Sequence, residues 1–445
     1  MSRMKTMLQH FENNRDWVEE RVASGIENYR KTYGILTVTD RDGKPISGVK
    51  VRYNLTQHSF LHGAHCFMLD ELETPEKNDK FKEYLIDVAN HATLPFFWAD
   101  LEPEPGKLRF DKDSPKRYRR PPIDLCMEFC EAHHIVPRLH CLNYDQWTPG
   151  WVDPHNIPEI KRLLEKRIRE IAEKYGGRIH AMEVINETLI GPVYQDFRHS
   201  TDFFWESDFI TWSFKTARKY LPDNELLINE CTPICWDITR KMRSPYAQTI
   251  DNSIQHGAEI DAIAMQFHMF NRRENEESQS LPFFDPKRLC DVMDFYWENF
   301  RKPLQICEIT LPCYSCDSED EELQAKLIEN LYPIWFSHPA VEMIMYWNLV
   351  DGYAAFAPLG AMDQGENYYH SGLLRFDLTP KPGYEMLKDM FDHRWHTTGN
   401  TETNGEGIAC FRGFRGTYDI VLEKAGTKKK QTVVLDGENK TVILE

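Results

Sequence analysis

Several things are missing from this sequence, and each absence removes a class of protein. No run of 18 apolar residues occurs, so no membrane-spanning helix is expected. The opening stretch MSRMKTMLQHFENNRDWVEERV holds no apolar block of the kind a secretion signal needs, which predicts a cytoplasmic protein. C-x-x-C occurs at Cys313–Cys316 without a second pair at zinc-binding spacing, and the 11 cysteines are odd in number and scattered. They read as reduced thiols rather than as a disulfide framework or a metal centre. An early G-x-G-x-x-G is absent, which argues against a dinucleotide fold, and no cofactor is expected. Positive charge is also scarce. The net charge of −17 disfavours nucleic acid and membrane surfaces as partners. The short basic clusters KRYRR (116–120) and KKK (428–430) read as solvated loops. The alternative for KRYRR is contact with an acidic substituent on a ligand.

What is present begins with size. A chain of 445 residues, 41% hydrophobic and 28% charged, fits one large α/β domain with additions. Aromatic residues reach 12%, with 11 Trp and 19 Tyr, enough for a ring-rich core or a ring-lined cleft. Residues 1–33 are patterned as a helical extension. Residues 34–58 alternate apolar and polar side chains around DRDGKPISG and read as a β-hairpin. Residues 399–445 repeat that style, with packing against 34–58 as a small β-sandwich one option.

The middle, 59–398, has a rhythm. Apolar strand candidates recur at LHGAHCFML, ANHATLPFF, IVPRLHCL, HAMEVIN, LLINE, AIAMQFH, LQICEIT and EMIMYWNLV. Helical patterns lie between them. In EIKRLLEKRIREIAEKYG the residues Ile160, Leu163, Leu164, Ile168, Ile171, Ala172 and Tyr175 share one face, and Gly176–Gly177 end the segment. Eight strands alternating with helices predict an α/β chain folded as a (β/α)8 TIM barrel, with a doubly wound sheet as the rival.

In such a barrel the C-terminal strand ends share one cleft. Read in order, they carry RLHCLNYDQW, Asn186-Glu187, Asn229-Glu230, Gln266 and His268, Glu308, and Trp347-Asn348. An Asn-Glu after one strand is commonly the start of a turn; polar residues at six consecutive ends predict a binding site. Glu308 lies inside an apolar run, which costs several kcal/mol unless the carboxylate is neutralised or hydrogen-bonded. A salt bridge to a helix Lys or Arg would serve. Two carboxylates facing each other over the barrel mouth would instead equip a glycosidase.

These strand ends resemble glycoside hydrolase family 10, whose main activity is endo-β-1,4-xylanase. VINET resembles the family's acid/base strand and LLINE its Asn-Asp/Glu strand. IAMQFH resembles its Gln-x-His strand, QICEIT its nucleophile strand and MYWNLVDG its last strand. LEPEPGKLRFD, RLHC…TPGWV and GLLRFDLTPKPGYEML match in the same order, over about residues 34–398. The resemblance implies Glu187 as acid/base and Glu308 as nucleophile. Asn186 would bond the 2-hydroxyl of the sugar, His268 would orient Glu308, Gln266 would line the same subsite, and Trp347 would stack on the ring. Further implied substrate contacts are His140 and Asp145 on the third strand, Trp98 before LEPEPG, and Glu230 on the fifth.

Departures from the family pattern concern the sugar-reading shell. Leu94 and Phe97 stand where Asn and Lys are usual, and neither can hydrogen-bond a sugar. Tyr144-Asp145 replaces Trp-His, and Thr310 replaces an acid expected to polarise His268. YAAF replaces an aromatic wall, with Tyr353 or Phe356 able to serve. The expected function is retaining hydrolysis of β-1,4-xylosidic bonds in xylan fragments or xylo-oligosaccharides. The alternatives are a different β-glycoside with an apolar aglycone or another glycone, transfer to a sugar acceptor, and a non-catalytic carbohydrate-binding barrel. An oligosaccharide or glycoside is the expected partner. Restoring Asn at 94 and Lys at 97 is expected to raise activity on xylobiosides.

Overall fold

The computed structural model describes residues 2–190 and 201–444. Fifteen strands are named in chain order. β1 (Lys31–Thr39) and β2 (Lys50–His58) precede the barrel; β3 (Leu61–His65), β4 (His91–Pro95), β5 (Val136–His140) and β6 (Ala181–Asn186) form its first half. β7 (Glu225–Glu230), β8 (Ala262–His268), β9 (Leu304–Thr310) and β10 (Val341–Tyr346) complete it. β11 (Thr398–Glu402), β12 (Ile408–Phe414), β13 (Gly416–Lys424), β14 (Thr427–Leu435) and β15 (Asn439–Ile443) follow. Strands β3 to β10 close on themselves in the order β10-β3-β4-β5-β6-β7-β8-β9, every neighbouring pair parallel. They coincide with the eight apolar runs. Each is buried by side chains inside the barrel and by helices outside, so its sequence is apolar on both faces.

The helix Ile157–Tyr175 shows how the connections work. Asn156 caps its N-terminus by accepting from the Glu159 amide, and Pro158 suits its first turn. Ile160, Leu164, Ile168, Ile171 and Tyr175 are buried on the inward face, while Leu163 and Ala172 are half-buried. Gly176 ends it in ordinary right-handed geometry (φ −55°). A Cβ at Gly176 would stand 2.6 Å from the Ala172 carbonyl oxygen and 3.2 Å from Leu221, so glycine is needed for space.

The ends of the chain build a separate β layer, and the hairpin expected over 34–58 does not form. β1 pairs with β12 and β15, whereas β2 pairs with β11 and β13. The ten-residue link after Thr39 carries the chain from a three-stranded sheet to a four-stranded one. Alternation alone shows that a strand has one buried face, not which partner it pairs with. The two sheets face each other through Tyr53 stacked on Phe411 (3.8 Å between centroids), with Tyr418 and Leu435 beside them. Residues 3–25 form helices α1 (Arg3–Asn13) and α2 (Arg15–Gly25), which lie along the helix Ser318–Ser337 on the barrel's outside. Arg3 ties them down through Glu276 and Asp320, both at 2.7 Å.

Candidate active site

The strand ends open into a cleft of about 620 Å³ at the C-terminal mouth of the barrel. Glu187 and Glu308 both line it, with Asn186, His140, Gln266, His268 and Trp347. Two local features aim the carboxylates. Glu308 is an extra residue in β9: Cys307 pairs with Gln266 and Ile309 with Phe267, and the register against β10 shifts at the same place. Such a bulge turns a side chain out of the regular alternation. Both glutamates also have left-handed backbone, φ 52° at Glu187 and 60° at Glu308. For a non-glycine residue this costs on the order of 1–3 kcal/mol and persists only where the surroundings over-determine it.

One nitrogen joins the pair. Gln266 Nε2 donates to Glu187 Oε1 at 3.0 Å and lies 3.4 Å from Glu308 Oε1. Bonds of 3.0 and 3.4 Å to a single atom leave those oxygens no more than about 6.4 Å apart. Their remaining partners differ. Glu187 accepts from the Tyr144 hydroxyl at 2.5 Å. Glu308 accepts from Asn229 Nδ2 at 2.7 Å, meets His268 Nε2 at 3.3 Å, and lies 3.8 Å from His140 Nδ1. No Lys or Arg pairs with Glu308 among the described residues.

The electrostatics separate the two acids. Burial, followed by the charge of Glu308, raises Glu187 above the ordinary carboxylate range, against the pull of Tyr144 and Gln266. Burial also presses upward on Glu308, but His140 and His268 outweigh it and hold its carboxyl below that range. His140 is itself raised: burial opposes its charge, and Glu183 and Glu308 more than compensate. Beneath the cleft Glu183 meets His140 Nδ1 at 2.9 Å and Arg138 Nη2 at 2.6 Å. His140, Cys141 and Glu183 bring donor atoms within 4.8 Å of one another. The Arg138 cation against Glu183 makes that cluster an ion-pair network rather than a good cation site.

The other predicted residues divide into two groups. Asn186 turns its Oδ1 to Asn229 Nδ2 (3.0 Å) and Gln266 Nε2 (3.3 Å), which leaves its amide NH2 without a partner among the described residues. His268 sits between Glu308 and the Thr310 hydroxyl, 2.8 Å from Nδ1, so threonine supplies the contact that an acid was expected to make. Trp347 meets His65, Phe67, His140 and His268 edge-on.

Glu230, Asp145 and Trp98 do not line the cleft. Glu230 is fully buried and accepts from the Leu189 and Cys231 amides, both at 2.8 Å, which fixes the backbone after Glu187; burial pushes it up to about 7. Asp145 holds the amide and hydroxyl of Thr201. Trp98 donates to Glu102 at 2.9 Å, and Glu102 also accepts from Gly106, so the indole braces the LEPEPG turn. A strand-end position predicts proximity to the mouth but not which side of the wall a side chain takes.

Leu94 is wholly buried in the barrel core, so only Phe97 of the two departures faces the cleft. Phe97 clusters with Phe67, Trp347, Tyr144, Trp147 and Phe270. Tyr353 is buried and bonded to Glu73, leaving Phe356 as the aromatic residue of YAAF on the cleft. The basic cluster is split. Lys116, Arg117 and Tyr118 are exposed, but Arg119 and Arg120 are only 3% and 7% exposed and line the cleft. Tyr144 and Asn229, each bonded to one of the glutamates, stood out in the sequence as a departure and as a polar strand end but were given no role at the site.

The family model for "Glycosyl hydrolase family 10" matches residues 98–389. Endo-1,4-beta-xylanase 1 of Arabidopsis thaliana is 23% identical over 435 residues, covering 94% of this chain and 39% of its own length. Anti-sigma-I factor RsgI6 of Acetivibrio thermocellus is 23% identical over 419 residues, covering 93% of this chain and 47% of its own. The chain thus spans less than half the length of these relatives. Xylanase 10B from Thermotoga petrophila RKU-1, solved in complex with xylobiose, shares the fold. It superposes with a TM-score of 0.57 at 18% identity, covering 76% of this chain and 95% of that one. With its barrel, its matched motifs and its paired strand-end glutamates, the chain belongs to glycosyl hydrolase family 10.

Proposed function

We propose that this chain is a retaining glycoside hydrolase that cleaves β-1,4-xylosidic bonds in xylan fragments or xylo-oligosaccharides. One observation carries the reading: a half-buried and a buried glutamate share Gln266 Nε2 while their surroundings push their pKa values apart. Retaining enzymes need carboxyl groups about 5–5.5 Å apart, and inverting ones roughly 6.5–9.5 Å; the 6.4 Å bound favours the first. Glu308, held ionised by His268 and Asn229, attacks the anomeric carbon. Glu187, whose protonated form burial and the charge of Glu308 favour, gives its proton to the departing oxygen as the glycosidic bond breaks. The same carboxylate then takes a proton from water, which attacks the glycosyl-enzyme and frees Glu308. Asn186 offers its free NH2 to the sugar's 2-hydroxyl, a bond that strengthens as charge develops on the ring. A sugar-binding barrel without turnover has no need of oppositely tuned carboxyls. Support for xylose chains comes from the relatives named as xylanases and from the xylobiose bound to a structural neighbour. The aromatic wall of Phe67, Phe97 and Trp147 supports a second reading, a β-glycoside of different glycone or apolar aglycone.

The test is a pair of variants on aryl β-glycosides. Glu308→Ala loses turnover by at least about 10⁴-fold and is rescued by azide to a glycosyl azide of inverted configuration. Glu187→Ala keeps activity on good leaving groups and loses it on poor ones, which need the proton. Normal activity in both variants rules the assignment out. Xyloside, xylobioside, glucoside and cellobioside substrates separate the two readings of the glycone.

A further inference from the structure

Resting on the reading just given, we infer that the cleft takes a glycoside whose glycone side bears a carboxylate, held by Arg119. Glu187 must stand by the leaving oxygen, so the strand ends opposite β6, namely β10 with β9 and β3 on either side, flank the sugar being transferred. Arg119 enters on that side. Its Nη1 donates to Asn348 Oδ1 at 3.0 Å and to the Tyr353 carbonyl, and its guanidinium lies 5.8 Å from the centre of Phe67. Those bonds use one end of the fork. Nε is buried without a partner, and Nη2 has none among the described residues. The Nε–Nη2 edge is the side of a guanidinium that grips a carboxylate by two parallel bonds.

No acid among the described residues takes that edge. No salt bridge to Arg119 exists among the described residues; the residue is 3% exposed, and burial lowers its pKa against the opposing charge of Glu366. Neighbouring Arg120 pairs with Asp100 at 2.9 Å and stacks 3.9 Å from the centre of Phe97. Glu366, the acid that also lines this part of the cleft, is used elsewhere: its Oε2 accepts from Asn348 Nδ2 at 3.3 Å and the Ala355 amide at 3.4 Å. A buried guanidinium with an acid near it but none bonded to it costs up to several kcal/mol, which an anionic ligand on the open edge would offset. Beside it on the cleft stands Phe97, where a sugar-reading Lys was expected. This wall is poor at reading hydroxyls and equipped to read a charge.

The carboxylate could belong to the transferred sugar itself or to an acidic substituent on a neighbouring one. Three substrates separate these: an aryl β-glucuronide, an aryl β-xyloside, and a xylo-oligosaccharide bearing a glucuronic acid branch. Wild type, Arg119→Met and Arg119→Lys are compared by kcat/KM, with folding checked by thermal unfolding and azide rescue of Glu308→Ala run alongside. The expected result is that Arg119→Met lowers the ratio of acidic to neutral kcat/KM at least about 30-fold, with Arg119→Lys between. Which acidic substrate carries the effect identifies the source. An unchanged ratio, or wild-type hydrolysis of the xyloside with neither acidic substrate accepted, overturns the inference and leaves the glycosidase reading standing. If Arg119→Met does not fold, Arg119→Lys must still lower the ratio, or the inference fails. No turnover of any of the three substrates by wild type overturns the inference, and if the aryl glucoside and cellobioside are not turned over either, the glycosidase reading falls with it.

Discussion

Glu187 and Glu308 are the same amino acid in the same cleft, and their surroundings ask opposite protonation states of them. Two predictions belong here. Tyr144 donates to Glu187 and so favours its charged form. In Tyr144→Phe the alkaline limb of the kcat/KM profile moves to higher pH, while the rate at the optimum falls by no more than about tenfold. A limb that stays in place shows that Glu187 does not set it. The second prediction concerns stability. A folded pKa above the unfolded one means that the native state binds the proton more tightly. The wild type therefore carries no penalty while both states are protonated, and it loses stability as pH rises through the raised folded value of Glu187. Glu187→Gln is accordingly more stable than wild type at neutral and higher pH, an advantage that shrinks toward zero in acid. Thermal unfolding at matched pH checks this; a variant less stable at every pH contradicts it.

At the scale of the element, what matters is how a strand delivers side chains to the cleft or to the core. The family resemblance set Leu94 beside Phe97 as a missing sugar contact. The completed barrel turns Leu94 into the interior and leaves Phe97 on the cleft. Leu94→Asn then buries an amide among apolar neighbours and removes packing, at a cost of about 3 kcal/mol, with little gain in xylobioside hydrolysis. Urea unfolding of the variant measures the first and aryl-xylobioside kinetics the second. A stable variant with raised xylobioside activity would restore the original view of this position. The bulge at Glu308 shows the same limit. Strand β9 was legible as an apolar run with one carboxylate in it, but the extra residue that redirects Glu308 appears only when β8 and β10 set the register.

For the molecule as a whole, the additions outside the barrel are secured by charge as well as by apolar packing. Arg3 is 14% exposed at its side chain and bridges two nearly buried carboxylates, Glu276 and Asp320, from opposite ends of one guanidinium. Arg3→Met leaves those acids without that partner, although Arg273 still meets Asp320 at 3.0 Å. A loss of about 3 kcal/mol is expected, read by chemical unfolding. If the variant unfolds at the wild-type denaturant concentration, helices α1 and α2 are ornaments rather than supports.

Local pattern was enough to mark the eight barrel strands, the inward face of the helix Ile157–Tyr175, and the motifs that carry Glu187 and Glu308. Periodicity and strand-end polarity are properties of neighbours in the chain, and neighbours in the chain are what a sequence displays. Pairing was not legible: β1 and β2 looked like one hairpin and belong to two sheets, because an alternating strand shows a buried face without naming its partner. Nor were the inner surroundings of the cleft. Glu230, Asp145 and Trp98 turn behind the wall, Tyr144 and Asn229 turn onto the glutamates, and Arg119 leaves a basic run to sit buried against Phe67 and Asn348. Those outcomes depend on contacts between residues tens to hundreds of positions apart, and burial, charge and hydrogen bonding act on distance in space. Only the closed barrel sets that distance.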